Sequence, residues 1–170
     1  MKMKKVLILS LSLFTFLVNA QESHNKKTSD LHPIEHPTWH TDMSKATEIA
    51  FKENKPLMLF FTGSDWCGWC IRLEREVLNK TDFINWAKEN VVLVKLDFPR
   101  RTAQDQQIRM QNQRLQQMLK VAGYPTIWFV SPEKKEEKIN LNAIGKTGYV
   151  HGGTKAWLNK ANLILSKTKE

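Results

Sequence analysis

The chain has 170 residues, of which 41% are hydrophobic and 25% are charged, a composition typical of one globular domain. Its two cysteines exclude a scaffold of several disulfides and a four-cysteine zinc site. The formal net charge of +9 drops to +6 (23 basic against 17 acidic residues) without the first 20 residues. No basic stretch is interleaved with aromatic residues, so this charge predicts a solvated surface and no nucleic-acid partner.

The first 20 residues have the pattern of a secretory signal peptide. Three lysines within the first five residues precede an apolar run over residues 6–18, and Val18-Asn19-Ala20 ends in a small residue. We predict cleavage after Ala20 and export to the periplasm of a Gram-negative bacterium. A short membrane anchor is the alternative, although the run is shorter than the roughly 18 apolar residues of a membrane-spanning helix.

The segment after the signal peptide predicts a flexible leader, then a helix and a strand. Residues 21–38 are polar and contain two prolines. Residues 39–54 have helical spacing of apolar side chains, with Thr41 or Asp42 as the cap. Residues 57–61 form a continuous apolar run, which is typical of a strand buried on both faces.

The middle of the chain predicts three helices and a second strand. Helical spacing resumes over residues 67–78 and again over residues 82–89. Residues 91–96 are a second buried strand. The Gln-rich segment 102–122 predicts one long helix, which Gly123 ends.

The last third of the chain predicts two strands and a closing helix. The strands cover residues 126–130 and 138–144, with a charged turn over residues 131–137 between them. Thr154 caps a final helix that ends at Leu165. A glycine-rich loop precedes this helix and contains Gly145, Gly148, Gly152 and Gly153.

These elements predict a single α/β domain over residues 39–170. Helices separate consecutive buried strands, and such crossovers imply a central sheet with helices on both faces. No internal repeat or second domain is indicated.

One motif carries chemistry, at the point where the first buried strand gives way to a helix: Asp65-Trp66-Cys67-Gly68-Trp69-Cys70. A helix N-terminus carries partial positive charge and favours a thiolate, so Cys67 is the predicted nucleophile. Cys70 lies three residues later on the same helix face and can resolve a mixed disulfide. Gly68 leaves room for a substrate chain. The alternative is an inert or structural pair, but a disulfide across two residues constrains the unfolded chain little.

The same residues reveal a resemblance. Residues 60–70 resemble the active site of thioredoxin-fold disulfide oxidoreductases, and Gly123-Tyr124-Pro125-Thr126 resembles their second signature. The resemblance covers roughly residues 39–168 and looks closest to secreted bacterial thioredoxin-like proteins. It implies a thioredoxin fold with a mixed sheet of four to five strands. It also implies a cis bond before Pro125, which faces the cysteines and shapes a substrate groove with Tyr124 and Thr126.

Three departures from the family pattern bear on mechanism. Phe61 stands where typical thioredoxins have a buried aspartate, so that proton acceptor is missing, and the nearer Asp65 is expected to be exposed. Lys95 matches a family lysine and either favours a thiolate or points outward from its strand. Trp69 lies between the cysteines, where family members often have proline or histidine. It offers an apolar surface to substrates or is a packing residue, and Trp66 supports the site.

The sequence therefore predicts a reductase-like or isomerase-like thiol–disulfide oxidoreductase acting on protein disulfides. Its only cofactor is the redox-active pair, electrons come from a membrane or periplasmic dithiol partner, and the protein is a monomer. The competing class is a non-catalytic module, a Cu(I) carrier or an assembly factor, since thiolates suit Cu(I). His32, His36 and His40 recur every four residues, but the intervening prolines forbid the regular helix that would align them on a metal.

Overall fold

The computed structural model describes residues 36–168. The predicted signal peptide and nearly all of the predicted leader lie outside these residues. Within them, none of the helices is long and apolar enough to cross a membrane. The elements in chain order are β1 (Trp39–His40), α1 (Met43–Glu53), β2 (Leu57–Thr62), α2 (Gly68–Leu73), a π-helical stretch (Glu74–Leu78), α3 (Thr81–Asn90), β3 (Val92–Asp97), α4 (Gln106–Met118), β4 (Thr126–Lys135), β5 (Lys138–Thr147), α5 (Gly153–Leu165) and a closing 3₁₀ turn (Ser166–Thr168).

A five-stranded mixed sheet runs through the molecule in the order β1-β3-β2-β4-β5. Strand β3 is parallel to β1 and β2, whereas β4 is antiparallel to both β2 and β5. All six residues of β2 are buried because helices cover both faces of the sheet. Met58 and Phe60 pack with α2, α3 and α5, whereas Leu57 and Leu59 pack with α1 and α4. The predicted fold class is confirmed.

The predicted first helix begins too early. Trp39 and His40 form β1, in which Trp39 pairs with Leu93, and the Trp39 ring packs against Phe60. The helix starts only after Asp42, whose carboxylate accepts the N–H groups of the first helical turn. One of the two predicted caps is therefore correct.

The predicted helix over residues 102–122 is shorter than expected. It begins after Asp105, whose side chain accepts two N–H groups, and it ends at Met118. Lys120 then adopts a left-handed conformation with φ of 49°, so the chain leaves the helix before Gly123. The polar residues 102–104 belong to a loop that packs beside the cysteine motif.

The charged turn predicted over residues 131–137 is mostly strand. β4 continues to Lys135 and β5 starts at Lys138, which leaves a turn of two residues, with Glu136 at φ of 53°. Residues 131–135 of β4 show no hydrophobic alternation, so the sequence pattern did not reveal this extension of the strand. Gly145 likewise lies in β5, next to a bulge opposite Phe129, and not in a loop.

The last helix has a different cap from the one predicted. Gly152, in a left-handed conformation with φ of 106°, occupies the cap position. The Thr154 hydroxyl donates instead to the Glu76 carbonyl at 3.0 Å and so connects α5 to the π-helical stretch after α2.

Candidate active site

The two cysteines lie where β2 turns into α2. The Gly63 carbonyl accepts the N–H groups of Trp66 and Cys67, which forms the tight turn between strand and helix. Cys67 is the N-cap of α2, and its sulfur accepts the Cys70 N–H at 3.2 Å. The sulfurs are joined in a disulfide, with the Cα atoms 5.3 Å apart. The structure is therefore the oxidised form of the predicted pair.

The two sulfurs differ in access to solvent. Cys67 is 6% exposed, whereas Cys70 is fully buried in the core between the sheet and helices α2, α3 and α5. A client can therefore approach the pair only from the Cys67 side. Gly68 is exposed, and the space around it is open. This arrangement suits the predicted attacking and resolving roles.

The second predicted motif lies beside the first. The bond between Tyr124 and Pro125 is cis, the geometry that the resemblance implies. The Tyr124 ring meets the Trp66 ring edge-on, with centroids 5.7 Å apart, so the proline loop adjoins the residue before Cys67. The Tyr124 hydroxyl accepts a hydrogen bond from Gln116, and the Thr126 hydroxyl donates to the Gly123 carbonyl at 2.7 Å. These bonds fix the loop next to the pair. Burial is the main reason that the pKa of Tyr124 is raised.

Asp65, which was expected to be exposed, is partly exposed, and its carboxylate anchors a loop. Its carboxylate accepts the backbone N–H groups of Arg100, Arg101 and Thr102 at 3.0, 2.7 and 3.2 Å. These bonds, the one from Arg100 first, lower the pKa of Asp65. A carboxylate held in this way is a poor proton acceptor, so Asp65 does not replace the missing family aspartate.

Trp66 is fixed by the same loop. Its indole N–H donates to the Phe98 carbonyl at 2.8 Å, and the Arg100 guanidinium lies 3.6 Å from its ring centroid. Such a cation–π stack is typical of arginine on tryptophan. Trp66 therefore supports the site through packing on the loop of residues 98–102.

Trp69 packs against neighbouring side chains and is also largely exposed. More than half of the residue, 55%, remains exposed beside the cysteines. The centroids of the Trp69 and Tyr149 rings lie 5.2 Å apart, and the Arg72 Cζ lies 5.3 Å from the Trp69 ring centroid. Glu76 holds both partners, accepting from the Tyr149 hydroxyl at 2.6 Å and from Arg72 at 2.9 Å.

Glu76 also sets the proton affinities in this cluster. The hydrogen bond from Tyr149, and then the one from Arg72, lowers the pKa of Glu76. The pKa of Tyr149 is raised in turn, chiefly because its hydroxyl donates to that carboxylate. Glu76, Arg72 and Tyr149 were not predicted as site residues. The spacing of Arg72 and Glu76, four residues apart, was a local signal, but the Tyr149–Glu76 hydrogen bond joins residues 73 positions apart.

Lys95 has an acidic partner that the sequence analysis did not anticipate. Its ammonium lies 3.0 Å from a Glu74 carboxylate oxygen, and both side chains are about 30% exposed. Leu93, on the same face of β3, packs in the cluster that contains both cysteines. Lys95 is thus neither an isolated buried lysine nor an outward-pointing one. Glu74 and Lys95 line a cavity of about 230 Å³. Its other lining residues are Trp39, Phe60, Leu78 and Asn79.

Glu74 lies one helical turn beyond Cys70, and its N–H donates to the Cys70 carbonyl. Residues four apart share one face of a helix. The spacing from Cys70 to Glu74 was therefore a readable signal. Phe61 lies at the position of the missing aspartate. It packs in the core on the opposite face of the sheet, with α1 and α4, and stacks on Phe98.

The cysteines have no set of metal-binding neighbours in the part of the chain that the structure describes. Over residues 36–168, no group of three or more His, Cys, Asp or Glu side chains could hold a metal ion. His36 and His40 line a groove with residues of α1 and α3, while His32 lies outside the described residues.

Comparison with known proteins agrees with this geometry. Residues 43–139 match the thioredoxin-like domain family. The disulfide bond reductase DsbH of Chlamydia pneumoniae is 34% identical over 122 residues, which cover 72% of this chain and 69% of that protein. The thioredoxin-related protein DsbJ of the same organism is 29% identical over 80% of this chain, but over only 36% of its own length. A solved DsbH oxidoreductase structure matches with a TM-score of 0.71 and 31% identity, covering 83% of this chain and 94% of the other.

Proposed function

This chain belongs to the thioredoxin-like family of disulfide oxidoreductases, and from that premise we propose that it reduces or isomerises protein disulfides in the periplasm. One observation carries the proposal. Cys67 caps the active-site helix with its sulfur at the edge of the surface, Cys70 is buried behind it, and the Pro125 loop lies alongside. The relative DsbH is a disulfide bond reductase, which supports the reductive direction.

The proposed reaction is two exchanges of one sulfur for another. The Cys67 thiolate attacks a client disulfide, a bond forms between Cys67 and the client, and the second client sulfur leaves and takes up a proton. Cys70 then loses its proton and attacks the Cys67 sulfur. The bond to the client breaks, the intramolecular disulfide forms, and the client leaves with two added electrons. A partner dithiol returns two electrons to the Cys67–Cys70 pair.

Binding of the client follows from the geometry of the loop. Pro125 has no N–H, so an extended client chain can pair with the backbone on either side of it. Tyr124 and Thr126 fix this loop, and the exposed indole of Trp69 gives apolar contact area beside the reacting sulfur. The client chain crosses the pair above Gly68, where no side chain obstructs it.

Glu74 and Lys95 supply the acid–base function that Phe61 cannot. In the proposed mechanism the Glu74 carboxylate, one helical turn beyond Cys70, accepts the proton of Cys70 during the second exchange, and the Lys95 ammonium holds the carboxylate in place. Glu74 and Lys95 line a cavity that is large enough for water. Lys95 is thus a positioning residue in this proposal.

The cellular setting is also part of the proposal. The signal-peptide pattern of residues 1–20 supports export, and an oxidising compartment is where a reductase needs a dedicated electron donor. We infer a membrane or periplasmic redox partner, protein clients with disulfides or thiols, and a monomeric enzyme. No nucleic acid takes part.

Two cysteine variants test the proposal. Cys67→Ser should reduce insulin disulfides no faster than the uncatalysed background, because the nucleophile is lost. Cys70→Ser should accumulate mixed disulfides with clients, because the resolving sulfur is lost. Near-normal turnover by Cys67→Ser, or no trapped adducts with Cys70→Ser, would contradict these roles. Stoichiometric Cu(I) binding by a reduced protein that lacks reductase activity would support the copper-carrier alternative instead.

A further inference from the structure

The loop of residues 98–102, inserted after β3, presents two arginines beside the active disulfide. We propose that this arginine pair, Arg100 and Arg101, selects client segments that carry acidic residues next to the reacting cysteine. The inference rests on the proposed function, and it names the class of client that the site prefers. Both side chains lie in exposed positions.

The loop is fixed to the two residues that precede Cys67. The Asp65 carboxylate accepts three successive N–H groups, from Arg100 to Thr102. The Trp66 indole donates to the Phe98 carbonyl, and the Arg100 guanidinium stacks on the Trp66 ring at 3.6 Å. The backbone of both arginines and the guanidinium of Arg100 are therefore held beside the two residues that precede the nucleophile, and the Arg101 side chain extends from this fixed backbone.

The carboxylates around the site are already engaged by other groups. Asp65 accepts the loop N–H groups, and Asp97 accepts the Ser64 N–H and hydroxyl. Glu74 pairs with Lys95, and Glu76 pairs with Arg72. Across residues 36–168, neither Arg100 nor Arg101 makes a salt bridge. Asp65 and Asp97 keep their negative charges, but their oxygens accept other groups, so the guanidinium N–H groups of Arg100 and Arg101 have no carboxylate partner among these residues and can pair with a carboxylate of a client.

Charge complementarity identifies the partner as an acidic polypeptide segment. A thiol-exchange site acts on cysteine-containing chains, so the arginine pair meets the residues that flank the client cysteine. Opposite charges raise the rate of productive encounter, and the effect weakens with ionic strength. The arginine pair should therefore act on client choice and association rate more than on the exchange chemistry.

The test uses three matched peptides and the full-length reduced protein. Each peptide carries one cysteine as a mixed disulfide with 2-mercaptoethanol, flanked on both sides by Asp, Ser or Lys. The second-order rate constant for oxidation of the protein is measured by tryptophan fluorescence. We expect the Asp peptide to react about three- to tenfold faster than the Lys peptide, with the ratio falling towards one in 0.5 M NaCl.

Variants assign the selectivity to the arginine pair. Arg101→Gln should lower the Asp-to-Lys rate ratio and leave the loop intact, since its backbone N–H makes the anchoring bond to Asp65. The double variant R100Q/R101Q should bring the ratio to about one. Arg109→Gln is the matched control, because Arg109 is an exposed arginine on α4, outside the loop, and its loss should leave the ratio unchanged.

Each outcome decides a different statement. Equal rates for the three peptides, or a ratio that persists in R100Q/R101Q, would overturn the inference and leave the proposed function standing. No reaction with any of the peptides would overturn the proposed function and this inference with it.

Discussion

In the proposed mechanism, the second half of the exchange depends on Glu74. It shares a helix face with Cys70 and pairs with Lys95 at 3.0 Å. We expect Glu74→Gln to slow resolution of a mixed disulfide by about tenfold or more near neutral pH, because the proton acceptor is lost. The deficit should shrink as the pH rises and hydroxide deprotonates Cys70. Stopped-flow measurement of resolution between pH 5 and 9 gives this profile.

A matched control separates acid–base function from a general effect of charge. Glu89 is an exposed glutamate on α3, so Glu89→Gln should retain the rate and pH profile of the unmodified protein. If Glu74→Gln keeps both the rate and the pH profile of the unmodified protein, Cys70 loses its proton by another route. A slower rate with an unchanged profile would assign Glu74 a structural role only.

The residues that could be predicted from the sequence are those that form local motifs. Cys67 and Cys70 are three apart at a strand-to-helix boundary, and Pro125 lies in its own four-residue signature. The contacts of Glu76 with Tyr149 and of Arg100 with Trp66 were missed because these partners lie more than 30 residues away in the chain. Chain spacing carries no information on such pairs.

Strands and helices were predictable where burial imposes a period on the sequence. β2 is buried on both faces and reads as an uninterrupted apolar run, so its bounds were nearly correct. Residues 131–135 at the outer end of β4 gave no hydrophobic alternation to follow, whereas β5 was predicted over most of its length. The short strand β1 has only two residues, too few for any periodic signal.

Gly145 allows β5 and α5 to approach each other closely. A Cβ built at this position would lie 2.8 Å from the Ile164 Cγ2, and Ile164 is only 5% exposed. We expect Gly145→Ala to lower the free energy of unfolding by about 1–3 kcal/mol, because a β-branched side chain on a packed helix has little freedom to move. Urea denaturation measures the change.

A double-mutant cycle identifies the contact that is responsible. In an Ile164→Ala background the clashing methyl is absent, so adding Gly145→Ala should cost markedly less than it does in the unmodified protein. Equal costs in the two backgrounds would place the effect of the alanine in the backbone of β5. The cycle thus tests the packing of α5 on the sheet independently of catalysis.

Over residues 36–168, the fold is a sheet with one hydrophobic core on each face. One core, which contains both cysteines and Trp157, carries the active-site helix, and the other packs α1 and α4 against the opposite face of the sheet. Polar contacts to the site cross from distant parts of the chain: the loop after β3, the proline loop before β4, and the connection before α5. The site is therefore an outcome of the complete fold, and its electrostatics contribute to the stability of the fold.

The stability of the molecule should depend on pH on both the acidic and the alkaline side, and Glu76 connects the two. Folding lowers the pKa values of Asp65, Glu76 and Glu133 below their ordinary values of 3.8 and 4.5, so their contribution is complete above those values and is lost as the pH falls through the folded ones. Folding raises the pKa of Tyr149 above 10.0, so its contribution is lost as the pH rises beyond that value. We expect Tm to decline below about pH 4 and above about pH 10. Glu76→Gln should make both declines less steep, because the hydrogen bond between Glu76 and Tyr149 shifts the pKa values of both groups. Calorimetry from pH 2 to 11 measures this, with Glu89→Gln as the control, and two unchanged slopes in Glu76→Gln would refute the linkage.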